Sequence, residues 1–445
     1  MKIALLHFRV GETDGVSLEM DKWKIAFEKM GHEVVYIAGS KGTTTTKTFI
    51  VEEIHYKNYR NDKIVENAYG KLIDFTEEEL KKEIFDYAIS IEEKLLKIID
   101  DENIDLLIPN NIWSLGWGLS AGIATTNAVK ARKLKSIGHN HDFYWEREKY
   151  SNPTCVFINS ILEDYFLPKE EYIKHCVINS IAQDQLKIKR GINSVVVPNV
   201  FDFSSKPWVK DNYNGDIREK INIKNDDLIF LQATRIVERK GIELAIDYIS
   251  KINLKKEELI GKTLYNGEIF RDNSNIYLVL AGMDEDSSYT KKLIEKAKNE
   301  NVNLKFINNI VDHSRTYRNN EKVYSLWDIY TEADIVTYPS LLEGWGNQFL
   351  EALFAKIPVL IYEYPVFEKD LLKMNFNVIS LGNSHSIDDN KLAHVDESII
   401  LTKVDETFRL ILDSEYRRGY VESNFVIAKE NYSYESLEKI LKALL

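Results

Sequence analysis

The chain is short of the residues that define small secreted, fibrous or low-complexity proteins: its 445 residues include only 2 Cys, 8 Pro and 20 Gly. Cys155 and Cys176 match neither a C-x-x-C metal hook nor a disulfide-dense scaffold, so a reducing, cytoplasmic setting is expected. Basic charge is also scarce, with 58 Lys and Arg against 70 Asp and Glu for a net −12. That balance repels polyanions at long range and argues against nucleic acid or an anionic membrane as a general partner. Met1 to His7 runs straight into a strand-like segment without a long apolar core, which argues against a secretory signal. The uncharged stretch from Leu106 to Val129 is long enough to cross a bilayer, but Pro109, Asn110, Asn111, Ser114, Ser120, Thr125, Thr126 and Asn127 interrupt it. It reads as a strand end, a polar loop and a buried helix, with no stable membrane insertion.

What is present is a globular composition, 44% hydrophobic and 11% aromatic, in a chain of two or three domains at about 100 to 200 residues each. Strand and helix patterns alternate from the start: Ile3 to His7, a loop with Gly11 and Gly15, a helix from about Ser17 to Met30, and a strand from Glu33 to Ile37. Further strands are expected at Leu106 to Ile108, Lys135 to Gly138, Cys155 to Ile158, Cys176 to Asn179 and Ser194 to Val197. After a loop-like break over Phe203 to Asp216, strands are expected at Leu228 to Gln232, Ile276 to Ala281, Leu304 to Ile307, Ile335 to Tyr338 and Pro358 to Tyr362. Helices are expected between them at Ile242 to Lys251, Tyr289 to Asn299, Tyr324 to Ala333 and Asn347 to Ala355. This rhythm predicts an α/β protein with two doubly wound, Rossmann-like domains facing a cleft at the carboxyl ends of their strands. The expected divisions are 1–203, 204–415 and a last helix over 416–445 packing back across the domains.

The densest chemistry lies in Pro339-Ser340-Leu341-Leu342-Glu343-Gly344-Trp345-Gly346-Asn347-Gln348-Phe349-Leu350-Glu351-Ala352, which follows a strand and enters a helix. Gly344 and Gly346 admit a ligand close to the backbone, and a helix starting near Asn347 points its free N–H groups at it. A capped helix with solvated acids fits the same spacing. Arg235 and Lys240 form a second element, with Arg235 at a strand's carboxyl end, where ligands bind, and ordinary surface basicity is the alternative. In the first half, Gly138-His139-Asn140-His141-Asp142 ends a strand with two histidines and an acid. No third ligand at metal-binding spacing accompanies them.

Glu343 to Glu351 resembles the E-x7-E element of retaining nucleotide-sugar glycosyltransferases, in particular glycosyltransferase family 4. Trp345 stands where Phe is usual. Val197-Pro198-Asn199-Val200-Phe201-Asp202 is similar to the family's I-P-N-G-V-D, with Val200 in place of Gly, and Arg235 to Gly241 is similar to R-x-x-x-x-K-G. The resemblance implies a GT-B fold and a metal-independent hexosyltransferase without a cofactor, using a nucleotide sugar such as GDP-mannose or UDP-glucose as co-substrate. It implies diphosphate contacts for Arg235 and Lys240, sugar hydroxyl contacts for Glu343, a ribose contact for Glu351, and backbone recognition of the base near Val311. Gly15, Asn199, Gly344, Trp345, Gly346 and Asn347 complete the expected donor set. His141 is the better match for a sugar-contacting histidine, with His139 its competitor.

A narrower likeness, carried by His139 to Arg147, Ile3 to His7 and Asp14 to Met20, points to a small polar acceptor, glucosylglycerate among the candidates. The expected acceptor set is Gly11, Gly15, Ser17, His139, His141, Asp142 and Arg147, with the helix start near Ser17 and Arg147 as seats for an acceptor carboxylate. Assembly into a homo-oligomer stays open. Two motifs are read as decoys: Asp284-Glu285-Asp286 as a helix cap, and Gly116-Trp117-Gly118-Leu119-Ser120-Ala121 as close helix packing, because it lies too far from its strand for a dinucleotide turn. The other classes to weigh are an NAD-dependent oxidoreductase and a nucleotide-sugar-binding protein without turnover.

Overall fold

Seven strands build the first sheet: β1 (Lys2–His7), β2 (Glu33–Ala38), β3 (Thr48–Ile50), β4 (Leu106–Pro109), β5 (Ser136–Asn140), β6 (Ile173–Val177) and β7 (Val195–Val196). They pair in parallel in the order β3-β2-β1-β4-β5-β6-β7. Because strand side chains alternate between faces, Ile3, Leu5, Tyr36 and Ile108 join one core cluster while Ala4, Leu6, Ile37 and Leu107 join the other. Helices Glu77–Glu102 and Leu119–Arg132 cover the second face, and Gly15–Lys29 covers the first together with the last helix of the chain, Tyr434–Leu444. That last helix contributes a stripe of Leu437, Leu441 and Leu444.

The second sheet is built from β8 (Leu228–Gln232), β9 (Ile276–Leu280) and β10 (Asn303–Phe306). A small three-stranded sheet follows, β11 (Val311–Asp312), β12 (Thr316–Arg318) and β13 (Glu321–Ser325), and the main sheet resumes with β14 (Ile335–Tyr338), β15 (Val359–Ile361) and β16 (Ile379–Ser380). The main sheet runs β10-β9-β8-β14-β15-β16, again all parallel. In each sheet the order reverses beside the first strand, between β1 and β4 and between β8 and β14. Open α/β sheets bind ligands in the crevice outside such a switch point.

The computed structural model describes residues 1–445 and divides into two units, 1–200 with 434–445 and 201–433. The single helix expected over 416–445 is two helices, Ser414–Tyr432 and Tyr434–Leu444. The break has a local cause: Ser433 is extended (φ −91°, ψ 171°) and bridges to Phe201. The strand expected at Cys155 to Ile158 is instead the helix Val156–Tyr165, whose buried Ile158, Ile161 and Leu162 recur at helical spacing. The sixth strand runs Ile173–Val177, earlier than expected, because Asn179 already caps the next helix by accepting from Ala182 N at 2.7 Å. The helix expected from Tyr324 shortens to Leu326–Tyr330, since Ser325 and Asp328 form a capping box that starts it after β13. The span 106–129 folds as β4, a loop and a buried helix, and no helix of the chain is long and apolar enough to cross a membrane.

Candidate active site

In the second unit most of the expected donor residues sit on, or in the helix that follows, the two loops that flank the β8/β14 switch point. The loop after β8 carries Arg235 and Lys240; the loop after β14 carries Glu343 to Gly346. Backbone bonds tie the two together, with Leu341 N donating to Arg239 O at 2.9 Å. Lys240 is only 4% exposed and its Nζ donates to Glu343 Oε1, while Arg239 Nη1 reaches Glu343 Oε2 at 3.2 Å. Burial pushes the Glu343 carboxyl upward, but Lys240 and Arg239 outweigh it and hold it below its ordinary range. Burial likewise draws the Lys240 ammonium below its ordinary value, against the pull of Glu343. Arg239 was not foreseen: the R-x-x-x-x-K-G pattern leaves its position unspecified.

The glycine loop is braced from beneath. Gly346 has φ +124°, and a Cβ there would lie 2.3 Å from the Tyr364 hydroxyl, which donates to Trp345 O at 2.7 Å. Only glycine fits that conformation and that space. Trp345 itself is buried and packs on Tyr432, which makes it part of the support. Asn347 opens the helix Asn347–Phe354, and Glu351 accepts from the buried Tyr330 hydroxyl at 3.0 Å. Tyr330 and Tyr364 escaped notice in the sequence because an isolated tyrosine carries no spacing signal.

Arg235 is 48% exposed on its side chain and is met by Glu285, with Nη1 donating to Oε1 at 2.8 Å and Oε2 at 3.0 Å. Asp286 caps the helix Ser287–Asn299, and Asp284 accepts from Thr290 Oγ1 at 2.9 Å. The capping reading of the acidic triplet therefore holds for Asp286, while Asp284 bonds the Thr290 hydroxyl and Asp286 N, and Glu285 turns to Arg235. Val311 pairs with Tyr324 in the three-stranded sheet, and Gly344 is exposed in the loop.

In the first unit the expected acceptor residues sit at the carboxyl ends of β1 and β5. His139 is 1% exposed, stacks on Trp23 at 4.1 Å and hydrogen-bonds Asn110 Oδ1 through Nδ1 at 2.9 Å. The Asn110 amide nitrogen donates to Ile108 O at 2.9 Å, which turns its oxygen toward His139 and puts the histidine proton on Nδ1. His7 in turn donates from Nδ1 to Asn110 O at 2.8 Å. His139 lies deeper than His141, whose ring centroid is 4.1 Å away, and the Nε2 atoms of both rings are buried without a hydrogen-bond partner. His141 is partly exposed, with its backbone N–H on Asn111 Oδ1 at 2.7 Å. Burial lowers its pKa to about 3, so it is a neutral imidazole near pH 7.

The helix start at Gly15 to Ser17 is already held by an acid: Asp14 accepts from Val16 N and Ser17 N at 3.2 Å and from Ser17 Oγ at 2.6 Å. Ser17 is buried beneath it, so Ser17 is part of a cap, and an incoming carboxylate would meet Asp14 there. The nearby Gly11, at φ +68°, packs on Thr43, while Gly15 faces open space. Arg147 is paired with Asp142 at 2.9 Å, and a cation missed in the sequence, Arg9, bonds Glu12 at 3.2 Å and Asp14 at 3.1 Å. Asn199 is buried near the end of this unit. The Gly116 to Ala121 segment packs as expected: a Cβ on Gly118 would touch Phe8 at 3.0 Å, and one on Gly116 would touch the Tyr69 hydroxyl at 3.0 Å.

The family profile described as "Glycosyl transferases group 1" matches residues 214–389, the region holding Arg235, Lys240, Glu343 and Glu351. Over nearly its full length the chain is 45% identical to the mannosylglucosylglycerate synthase of Petrotoga mobilis, covering 93% of this chain and 94% of that protein. The chain belongs to the mannosylglucosylglycerate synthase family of glycosyltransferases. The Thermotoga maritima member is 42% identical over 99% of both chains. Among solved structures, a glycosyltransferase from Rickettsia africae superposes with a TM-score of 0.64 at 13% identity, over 100% of this chain and 97% of that one. The sucrose-phosphate synthase of Thermosynechococcus elongatus does so with 0.58 at 13%, over 100% and 98%. These distant neighbours share the fold, two Rossmann-like domains of the GT-B type, and the family makes the chain a glycosyltransferase. The oxidoreductase reading is not favoured.

Proposed function

We propose that the chain moves a mannosyl unit from a nucleotide sugar, GDP-mannose first among the donors, to glucosylglycerate, with retention at the anomeric carbon. The observation that carries this reading is the joined loop pair at the β8/β14 switch point, with Glu343 held between Lys240 and Arg239, in a chain aligned end to end with two synthases of that name. In the proposed step the bond from the sugar C1 to the diphosphate oxygen breaks while the acceptor hydroxyl oxygen bonds C1 on the same face. The acceptor's proton passes to the leaving phosphate, so no separate carboxylate base is required. Arg235 and Lys240 meet the charge that develops on the diphosphate, Glu343 binds sugar hydroxyls, Glu351 the ribose, and neutral His141 offers a hydrogen bond to the transferred sugar. The two buried, unbridged cysteines are compatible with the reducing cytoplasm where nucleotide sugars are made.

The test is an assay of purified protein with GDP-mannose and UDP-glucose against glucosylglycerate, glycerate and free glucose. The expected result is transfer of mannose to glucosylglycerate, with an α-linkage in the proton NMR spectrum of the early product. A β-linked first product would overturn retention, and transfer to none of these acceptors would overturn the acceptor assignment.

A further inference from the structure

We propose that Glu285 is a positioning residue that competes with the nucleoside diphosphate for Arg235, weakening the hold on the spent nucleotide so that it leaves after transfer. The proposal rests on the nucleotide-sugar reading above. Glu285 is not a chance surface partner, because the loop that carries it is fastened to the loop that carries Arg235. Ile236 N donates to Met283 O at 2.8 Å, Glu285 N donates to Ile236 O at 3.2 Å, and Ile236 bridges Asp284 in parallel. This approach requires Gly282, where a Cβ would lie 1.8 Å from Thr234 O. The flanking acids are turned into the following helix, Asp286 as its cap and Asp284 on Thr290, so one carboxylate of the three faces the cation. Both cations assigned to the diphosphate thus already hold a carboxylate. Lys240's partner, Glu343, has work of its own toward the sugar, and Glu285 has none. It engages a single nitrogen of Arg235, so its negative charge stands beside the guanidinium edge to which a phosphate would bind.

The size of the effect follows from exposure. With side chains 48% and 39% exposed, the pair is of the solvated kind, and its competition should change affinity by about two- to fivefold. Glu285→Gln keeps an oxygen to accept from Arg235 and removes only the charge. Titrating GDP and UDP by calorimetry into wild type, Glu285→Gln and Arg235→Ala should give about two- to fivefold tighter binding to Glu285→Gln. Its product inhibition should be stronger and its donor KM lower, and the gain should shrink from low to high salt, as a charge effect is screened and a purely structural one is not. Nucleotide binding that Arg235→Ala weakens and Glu285→Gln leaves unchanged, or weakens, overturns the proposal alone. Absence of binding to wild type, or binding indifferent to Arg235→Ala, overturns the phosphate-clamp reading and the proposal with it.

Discussion

At the scale of single residues, burial separates side chains that the sequence presents as equals. Arg235 and Lys240 both read as phosphate ligands, yet one is half exposed and the other is 4% exposed in an ion pair. Arg235→Ala should therefore lower turnover roughly ten- to a thousandfold while leaving the melting temperature of the protein unchanged. Lys240→Ala should lower turnover as much and also destabilise, by up to about 3–5 kcal/mol less what Arg239 recovers, because it strands a buried carboxylate. Equal melting temperatures for the two variants would show that the pair contributes nothing to folding. The two acids divide in the same way. Glu343→Gln should mainly reduce kcat, since it weakens a contact to the reacting sugar, and Glu351→Gln should mainly raise the donor KM; equal effects on both parameters would show the roles to be misassigned. The glycines and acids of this site were legible because their chemistry demands a spacing. Arg239, Tyr330 and Asn110 were not, since they act through contacts that only the folded chain creates.

At the scale of elements, strands were legible wherever both faces are buried, as with Leu228–Gln232 and Ile335–Tyr338, because such strands read as uninterrupted apolar runs. Val156–Tyr165 was misread as a strand because its opening residues are apolar before the helical period shows. The helices Tyr59–Tyr69 and Glu77–Glu102 went unassigned, although Thr76 and Glu79 form a capping box at the second. The loop after β9 makes a prediction at this scale. With Asp284, Glu285 and Asp286 committed to Thr290, Arg235 and the helix start, turnover is expected to survive EDTA, and loss restored by Mn or Mg would assign the triplet to a metal. Gly282→Ala should part this loop from its neighbour, destabilise by about 1–3 kcal/mol and raise the nucleotide Kd. A variant as stable and as tight as wild type would mean that the two loops separate without cost.

At the scale of the whole molecule, one contribution to the response to acid comes from the first unit, where burial keeps four histidines neutral near pH 7. Burial lowers His7 and His175 to about 4, His141 to about 3, and His139 well below its ordinary value. At His175 the Nδ1 lies 3.3 Å from the Asn140 amide nitrogen, a donor, which favours the neutral ring, while donation from Nε2 to Pro168 O at 2.8 Å pulls the other way and is outweighed by burial. Between about pH 4 and the ordinary value of 6.5 the unfolded chain binds protons on these rings that the folded chain does not. Stability must then rise with pH through that window; the contribution is complete above pH 6.5 and is lost as pH falls toward 4. Carboxylates held below their ordinary range, Asp14 and Glu343 among them, act in a separate, lower window, being lost only as pH falls below the ordinary glutamate value of 4.5 toward their folded values. Thermal unfolding from pH 7 to 4.5 should show a falling melting temperature, and Trp23, stacked on His139, should report the loss through its fluorescence. His7→Gln removes one titrating ring and keeps an amide to donate to Asn110 O, so its melting temperature should fall less steeply than that of wild type across the same interval. Parallel curves for the two proteins would place the acid sensitivity outside this histidine cluster.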